Sequence, residues 1–226
     1  MIKFENVTKK FGNGTVAVED VSFEIPDQEF VFICGPSGAG KTTLLRLLIR
    51  DFLPSAGSIF LNEWNIEKLP HQKVCQLRRR VGMVFQDFKL LSDRTVFENV
   101  ALALEILGEK EKAIKEKVNE VLGALDLTGQ ANLFPVQLSG GELQRAVLAR
   151  AMVVKPEVLL ADEPTGNLDP GTAWEIIKLL QEINKAGTTV IMATHNVDIV
   201  DSLGKRVIKI DKGKIKKDEK KGKYSS

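Results

Sequence analysis

Residues 35–42 form a glycine-rich stretch that constrains the fold of this chain more than any other segment. Their sequence, Gly35-Pro36-Ser37-Gly38-Ala39-Gly40-Lys41-Thr42, fits the pattern of glycine, any four residues, glycine, lysine and serine or threonine without a mismatch. The apolar run Phe30–Cys34 precedes the stretch, and leucines at helical spacing follow it. Glycines between a strand and a helix let backbone N–H groups turn inward around a phosphate. The stretch therefore predicts a phosphate-binding loop, and its flanking elements argue against a glycine-rich turn with a chance lysine.

The residue types at the end of this loop indicate what it binds. A lysine after the last glycine reaches the β- and γ-phosphates of a nucleotide, and the hydroxyl that follows it binds Mg²⁺. Lys41 and Thr42 are therefore candidate ligands of ATP and of its metal, and Thr43 is a further candidate contact of the nucleotide.

A second predicted strand ends in two carboxylates. Residues 158–161 are apolar, and Asp162 and Glu163 follow them. In P-loop enzymes a carboxylate in this place holds Mg²⁺ near the β- and γ-phosphates, and an adjacent carboxylate can accept a proton from an attacking water. One carboxylate after a strand is common in a plain acidic loop. With the phosphate loop present, the pair predicts Asp162 as a metal residue and Glu163 as the catalytic base.

The composition is that of a globular protein of the cytoplasm. The 226 residues are 43% hydrophobic with a net charge of +2, so the chain can bury a full core and is not an evident binder of polyanions. Apolar runs stay well below the ~20 residues of a membrane span, and residues 1–10 lack an apolar signal-peptide core. The two cysteines, Cys34 and Cys75, lack metal-ligand spacing. We therefore expect reduced cysteines and no nucleic-acid partner.

The periodicity of apolar residues changes along the chain. Two β-rich stretches separated by the turn signal Gly12-Asn13-Gly14 predict an N-terminal antiparallel β element. Residues 95–155 show helical spacing without a convincing strand, which predicts an α-helical subdomain. The α/β pattern then resumes to about residue 213. Residues 214–226 are expected to form a basic, disordered tail, because residues 212–226 hold seven lysines and little apolar content.

A second anion-binding signal lies inside the helical subdomain. Ser139 can cap a helix, and Gly140 and Gly141 leave backbone N–H groups open at its start. One helix start cannot share the near side of a single phosphate group with the first loop. The pattern therefore suggests a nucleotide sandwiched between two chains.

Residues 138–144 match the signature of ABC-type ATPases, and the chain resembles that family to about residue 213. Further family elements are Gln86 after the 81–85 strand, Asp169 after the paired carboxylates, and His195 after the 188–193 strand. The resemblance implies that Gln86 senses Mg²⁺, that His195 contacts the γ-phosphate, and that Asp169 helps to join two subunits. It also implies the fold class, which is α/β: a P-loop NTPase core of ABC type with the N-terminal antiparallel β element and the α-helical subdomain.

Phe11 stands where relatives commonly carry an adenine-stacking tyrosine, and stacking needs only the ring. The residues alone leave two roles open, stacking on a base or covering the edge of the sheet. The candidate nucleotide-binding residues are Phe11, Gly35, Pro36, Ser37, Gly38, Ala39, Gly40, Lys41, Thr42, Thr43, Gln86, Ser139, Gly140, Gly141 and Asp169. The catalytic candidates are Glu163, His195 and Lys41, and the metal candidates are Thr42, Gln86 and Asp162.

Within the family, residues 85–100 resemble the bacterial cell-division group. The run 162–169 is shared with the lipoprotein-release and macrolide-export ATPases, which are the alternatives. The resemblance to the cell-division group implies a Mg²⁺-dependent ATPase that dimerises on ATP at the inner face of the membrane and drives a four-span membrane partner, FtsX. A soluble mechanical ABC ATPase is less favoured, because such proteins usually carry two nucleotide domains or a long coiled-coil insertion.

Large apolar residues follow Gln86 in a segment rich in charges. They are Phe88, Leu90, Leu91 and Val96. An exposed apolar cluster rimmed by charges is typical of a binding surface, so we expect the partner to dock there, in the cleft between the core and the helical subdomain. The alternative is that the four residues are ordinary core.

Overall fold

The computed structural model describes residues 1–224, which form ten strands and seven α-helices. The strands are β1 (Ile2–Lys10), β2 (Val16–Ile25), β3 (Phe30–Cys34), β4 (Ala56–Leu61), β5 (Trp64–Asn65), β6 (Val81–Val84), β7 (Val158–Asp162), β8 (Thr189–Thr194), β9 (Arg206–Asp211) and β10 (Lys214–Glu219). The helices are α1 (Lys41–Leu48), α2 (His71–Arg80), α3 (Val96–Ile106), α4 (Glu111–Ala124), α5 (Gly140–Met152), α6 (Pro170–Lys185) and α7 (Val197–Leu203). Two 3₁₀ turns, Thr128–Gln130 and Pro135–Gln137, connect α4 to α5.

The larger sheet brings the predicted site residues to one edge. Its strand order is β10-β9-β3-β8-β7-β6, and all pairs except β10 with β9 are parallel. Parallel strands end at the same edge of a sheet, and the crevice outside their carboxyl ends is where open α/β folds bind ligands. The phosphate loop after β3, Gln86 after β6, the carboxylates of β7 and His195 after β8 all lie at that edge.

The smaller sheet is antiparallel, with strand order β2-β1-β4-β5. It packs with α1 over one face of the larger sheet, and the helices α3 to α7 contribute to a second core on the other face. The β3 run is buried on both faces, as its continuous apolar sequence predicts. The predicted fold class is confirmed, with the antiparallel β element and a helical subdomain of α3, α4 and α5. Within residues 1–224, no helix combines the length and the apolar content needed to cross a bilayer.

The prediction of a disordered tail is wrong for residues 214–219. This segment is β10, which pairs antiparallel with β9 from Lys214 opposite Asp211 to Glu219 opposite Val207. Arg206 donates hydrogen bonds of 2.8 and 2.7 Å to the two carboxylate oxygens of Asp218, and one of 2.9 Å to Glu29. These backbone and ionic contacts replace the missing apolar burial. Ser225 and Ser226, the end of the predicted tail, lie outside the described residues.

We predict that Arg206→Gln lowers the free energy of unfolding by about 1–3 kcal/mol, because charge-assisted hydrogen bonds to two carboxylates are lost. Urea denaturation followed by circular dichroism measures the change. The control is Lys217→Gln, which removes an exposed ion pair with Glu219 of 3.6 Å and should change stability by less than about 0.5 kcal/mol. Equal effects of the two substitutions would show that β10 does not depend on Arg206.

Candidate functional site

The phosphate loop surrounds the side chain of Lys41. The Lys41 ammonium is buried and donates hydrogen bonds to the carbonyls of Gly35 at 2.8 Å and Pro36 at 3.2 Å. It also lies 3.5 Å from the Glu163 carboxylate. Gly40 has φ 107°, and a Cβ there would lie 2.4 Å from the Ala17 carbonyl oxygen, so the loop can pass β2 only with glycine in this place.

Thr42 and Asp162 form the predicted metal position. The Thr42 hydroxyl donates a 3.1 Å hydrogen bond to Asp162 Oδ1, and both residues line a hollow of about 350 Å³ together with Gln86 and Asn167. Asp162 is buried, and this burial raises the pKa of its carboxyl above the ordinary range. A buried carboxylate, a hydroxyl and an amide oxygen in one hollow fit Mg²⁺, which takes oxygen ligands, usually one or two carboxylates, and relies on phosphates and water for the rest. Within residues 1–224, no group of three or more His, Cys, Asp or Glu side chains is arranged to hold a metal ion.

Glu163 and His195 form a hydrogen-bonded pair beside Lys41. Glu163 Oε1 lies 2.8 Å from His195 Nδ1, and the His195 backbone N–H donates to Glu163 Oε2 at 3.4 Å. Glu163 has φ 48°, in the left-handed region that a non-glycine residue rarely adopts. Such backbone geometry occurs often at functional sites and costs about 1–3 kcal/mol. Its side chain is only 10% exposed, so the pair presents a shielded carboxylate to the phosphate loop.

One cavity of about 520 Å³ unites most of the predicted site. It is lined by residues 36–43 of the phosphate loop and by Gln86, Glu163 and His195. The sequence analysis missed five other lining residues, which are Thr15, Val16, Ala17, Val197 and Tyr224. The first three belong to the turn and strand after Gly14, and no sequence pattern marks the last two as site residues.

Phe11 does not line this cavity. Its ring packs edge to face on Phe52, with ring centroids 5.2 Å apart, and Lys9 Nζ lies 5.4 Å from its centroid. Of the two roles that the sequence left open, covering the sheet edge is the one for which contacts are present. Stacking on a base stays a prediction.

The second anion signal lies in a separate cavity of about 300 Å³. Ser139 is the N-cap of α5, accepts from the Glu142 N–H and donates to Glu142 Oε2, and this bonding holds the pKa of Glu142 below its ordinary value. Gly140, Gly141 and Asp169 line the same cavity. None of these residues lines the phosphate-loop cavity. Each of the two cavities therefore contains only part of the predicted nucleotide contacts.

A family model for ABC transporters matches residues 18–166 of the chain. The chain belongs to the ABC transporter family. It is 50% identical to the cell division ATP-binding protein FtsE of Bacillus subtilis, over 100% of this chain and 99% of that protein. It is 48% identical to FtsE of Mycobacterium tuberculosis, over 99% of this chain and 98% of that protein. The dimeric ATP-binding cassette MJ0796 with ADP and phosphate bound has a TM-score of 0.90 and 34% identity, covering 98% of this chain and 99% of that one.

Membership of the ABC transporter family confirms the resemblance seen in the sequence, and the FtsE relatives favour the cell-division group over lipoprotein release or macrolide export. As members of this family do, the chain binds and hydrolyses ATP.

The predicted exposure of the residues after Gln86 is wrong for Val96 and holds only in part for Phe88 and Leu90, while docking there stays a prediction. Val96 is fully buried, and Phe88 and Leu90 pack partly buried against the helical core, whereas Leu91 is exposed. Non-local hydrogen bonds hold this loop down. Arg150 of α5 donates to the carbonyls of Phe88 and Lys89, and Asn99 of α3 bonds to both backbone groups of Leu91.

We predict opposite stability effects of neutralising the two aspartates at the site. Burial raises the pKa of Asp162, so its ionised form destabilises the fold above that pKa. Asp162→Asn should therefore raise the free energy of unfolding at neutral pH, and the gain should vanish as the pH falls through the raised pKa to the ordinary value. Urea denaturation at a series of pH values measures this profile.

Asp169→Asn is the matched control. Bonds from Thr172 lower the pKa of Asp169, the N-cap of α6, so its ionised form is stabilising above the ordinary aspartate pKa. Neutralising it should lower stability at neutral pH, with a loss that fades as the pH falls through the lowered pKa. Loss of stability in both variants would contradict the role of burial at Asp162.

Proposed function

We propose that the chain is the Mg²⁺-dependent ATPase subunit of a bacterial cell-division complex, the counterpart of FtsE in an assembly with the membrane protein FtsX. The observation that carries the hydrolytic part is the convergence of Lys41, Thr42, Glu163 and His195 on one cavity. The 50% and 48% identity to two FtsE proteins along nearly their whole length supports the cell-division part.

The hydrolytic step follows from the charges around Lys41. The ammonium is paired with loop carbonyls and with Glu163. The γ-phosphate of ATP would become the anionic partner of Lys41 and leave the Glu163 carboxylate free to accept a proton. A water then attacks the γ-phosphorus, its proton passes to Glu163, and the bond from phosphorus to the β–γ bridging oxygen breaks, giving ADP and phosphate. His195 Nδ1, 2.8 Å from Glu163, keeps the carboxylate oriented.

Mg²⁺ would be held by Thr42 and Asp162, with Gln86 at the same hollow. When bound, the ion neutralises charge on the β- and γ-phosphates. Asp162 would gain a cationic neighbour that offsets the cost of its burial. The Gln86 backbone carbonyl accepts a weak 3.5 Å bond from Asn167, which connects this hollow to the segment that leads to Asp169.

A head-to-tail dimer would complete both sites. The start of α5 presents open N–H groups at Gly140 and Gly141, but in a cavity separate from the phosphate loop of the same chain. A helix start of this kind binds anions, and a second chain can supply the nucleotide phosphates. The dimeric form of the similar cassette MJ0796 supports this arrangement.

The membrane partner would dock in a groove beside the loop after Gln86. This groove, of about 650 Å³, lies between the α2–β6 region and helices α3 and α5. Its apolar floor includes Val81, Met83, Phe85, Ala103, Ile106 and Leu107, and its charged rim includes Arg46, Arg78, Arg79, Lys89, Arg150 and Asp51. Five cations against one carboxylate favour an amphipathic helix with acidic residues. Docking there would hold the chain at the cytoplasmic face of the membrane.

Two residues of the groove also line the predicted metal site. Arg46, one helical turn after Thr42, and Phe85, next to Gln86, line both the groove and the hollow of Thr42 and Asp162. A shift of either residue on ATP binding would change the surface offered to the partner.

Glu163→Gln tests the catalytic role. The amide keeps the shape of the side chain but cannot take a proton, so turnover should fall by about 10²–10⁴-fold while ATP binding changes little. Phosphate release and binding of a fluorescent ATP analogue measure the two quantities. Glu19→Gln, an exposed carboxylate outside the cavity, is the control, and normal turnover in Glu163→Gln would remove Glu163 from this role.

Ile106→Asp and Arg79→Glu test the groove. Ile106 is 70% exposed, so its substitution should leave the fold intact, and each change opposes an acidic apolar helix. Co-purification with membrane-embedded FtsX should drop at least about tenfold, the cost of burying one unpaired charge, with unchanged ATP binding. Leu53→Asp, at another exposed apolar residue, should co-purify normally. Undiminished capture by both groove variants would place the partner elsewhere.

A further inference from the structure

The residues after β10 turn back toward the nucleotide cavity. Gly222 is buried and its N–H donates a 3.2 Å hydrogen bond to the Lys205 carbonyl. A Cβ at Gly222 would lie 2.8 Å from Val207 Cβ, so this close turn over β9 excludes larger residues. The turn delivers Tyr224, the only tyrosine of the chain, to the cavity wall.

Tyr224 is held by two consecutive elements, the helix α7 and the strand β9. Its backbone N–H donates a 2.6 Å hydrogen bond to Asp201 Oδ1 on α7, and its carbonyl accepts a 3.1 Å bond from Lys209 Nζ on β9. Lys209 Nζ also lies 6.0 Å from the centroid of the ring. The ring packs partly buried against the core that contains Cys34, Ile199 and Val200. The burial raises the pKa of the phenol, so the ring is neutral in this setting.

The contacts of Tyr224 with α7 and β9, called the clasp below, involve the helix that begins two residues after His195. The α7 helix has only seven residues, and a helix this short depends on tertiary contacts for its position. Val197 and Asp201 are one helical turn apart and therefore lie on the same face. Val197 lines the cavity beside Tyr224, and Asp201 receives the Tyr224 N–H. Tyr224 thus packs on the face of α7 that lies next to the Glu163–His195 pair.

We propose that Tyr224 is a positioning residue for ATP hydrolysis. Its ring and backbone clamp α7 against β9 and so keep His195 Nδ1 within hydrogen-bond distance of Glu163. The ring, rather than the phenolic hydroxyl, supplies the contact. Because Tyr224 acts through His195, its loss affects the chemical step more than the binding of ATP. The proposal rests on ATP hydrolysis by this chain.

The full-length protein with Tyr224→Ala, Tyr224→Phe or Asp201→Ala tests the clasp. Tyr224→Ala should lower kcat about tenfold, since a small displacement of a catalytic group has effects of this order or larger, with KM for ATP changed less than about twofold. Tyr224→Phe should keep at least half of kcat, and Asp201→Ala should show a smaller loss in the same parameter. Ser202→Ala on the same helix and Lys216→Ala on exposed β10 are the controls.

Hydrogen–deuterium exchange provides a second measurement that does not depend on turnover. The amides of residues 197–203 should exchange faster in Tyr224→Ala than in the wild type or in Tyr224→Phe.

Wild-type kcat in Tyr224→Ala overturns the proposal, as does a rise in kcat, which would show that Tyr224 obstructs the cavity. A loss confined to ATP affinity also overturns it, because it would show that Tyr224 only lines the nucleotide cavity. If Tyr224→Ala does not fold, wild-type kcat in Asp201→Ala overturns the proposal. If the wild-type protein has no ATPase activity, the proposed function is contradicted instead. The exchange experiment would then still show whether Tyr224 stabilises α7.

Discussion

The nucleotide site depends on the pairing of one buried positive charge, the ammonium of Lys41. A buried cation is costly without partners, and here the partners are the carbonyls of Gly35 and Pro36 and the carboxylate of Glu163. The carbonyls belong to the loop after β3, and the carboxylate follows β7. These contacts of Lys41 therefore connect the phosphate loop to Glu163, the carboxylate predicted to be catalytic. In the proposed mechanism, a phosphate that enters the loop would compete for Lys41 and would thereby couple ATP binding to the freedom of Glu163.

The two helix starts that are predicted to bind anions face different cavities. The start of α1 carries Lys41 and Thr42, whereas the start of α5 lies with Asp169 in a second cavity. At α5 the Ser139 hydroxyl and Glu142 cap each other, which leaves the N–H groups of the two glycines as the free donors. This separation is the structural basis of the proposed head-to-tail dimer, in which each chain would supply one of the two helix starts to a shared site.

Two sequence interpretations failed for a common physical reason. The residues after Gln86 and the lysine-rich end both look solvent-exposed, because charged residues dominate each segment. In the fold, arginines that lie outside each segment bind it. Arg150 caps the carbonyls of Phe88 and Lys89, and Arg206 pairs with Asp218. The composition of a segment indicates how well water would solvate it, but it contains no information about partners that lie outside the segment.

The sequence by itself predicted which residues bind phosphate and metal, because the loop of residues 35–42 and the start of α5 would act through local backbone geometry. The sequence by itself determined the α/β class and its helical subdomain, since the spacing of apolar residues distinguishes strands from helices, and the resemblance to the ABC family added the type of the core. The tertiary structure alone decided the pairing of Glu163 with Lys41 and His195, the packing of Phe11 on Phe52, the shape of the basic groove and the return of Tyr224 to the cavity. These contacts depend on a strand order that differs from chain order, so residues that meet at the site are separated by most of the sequence.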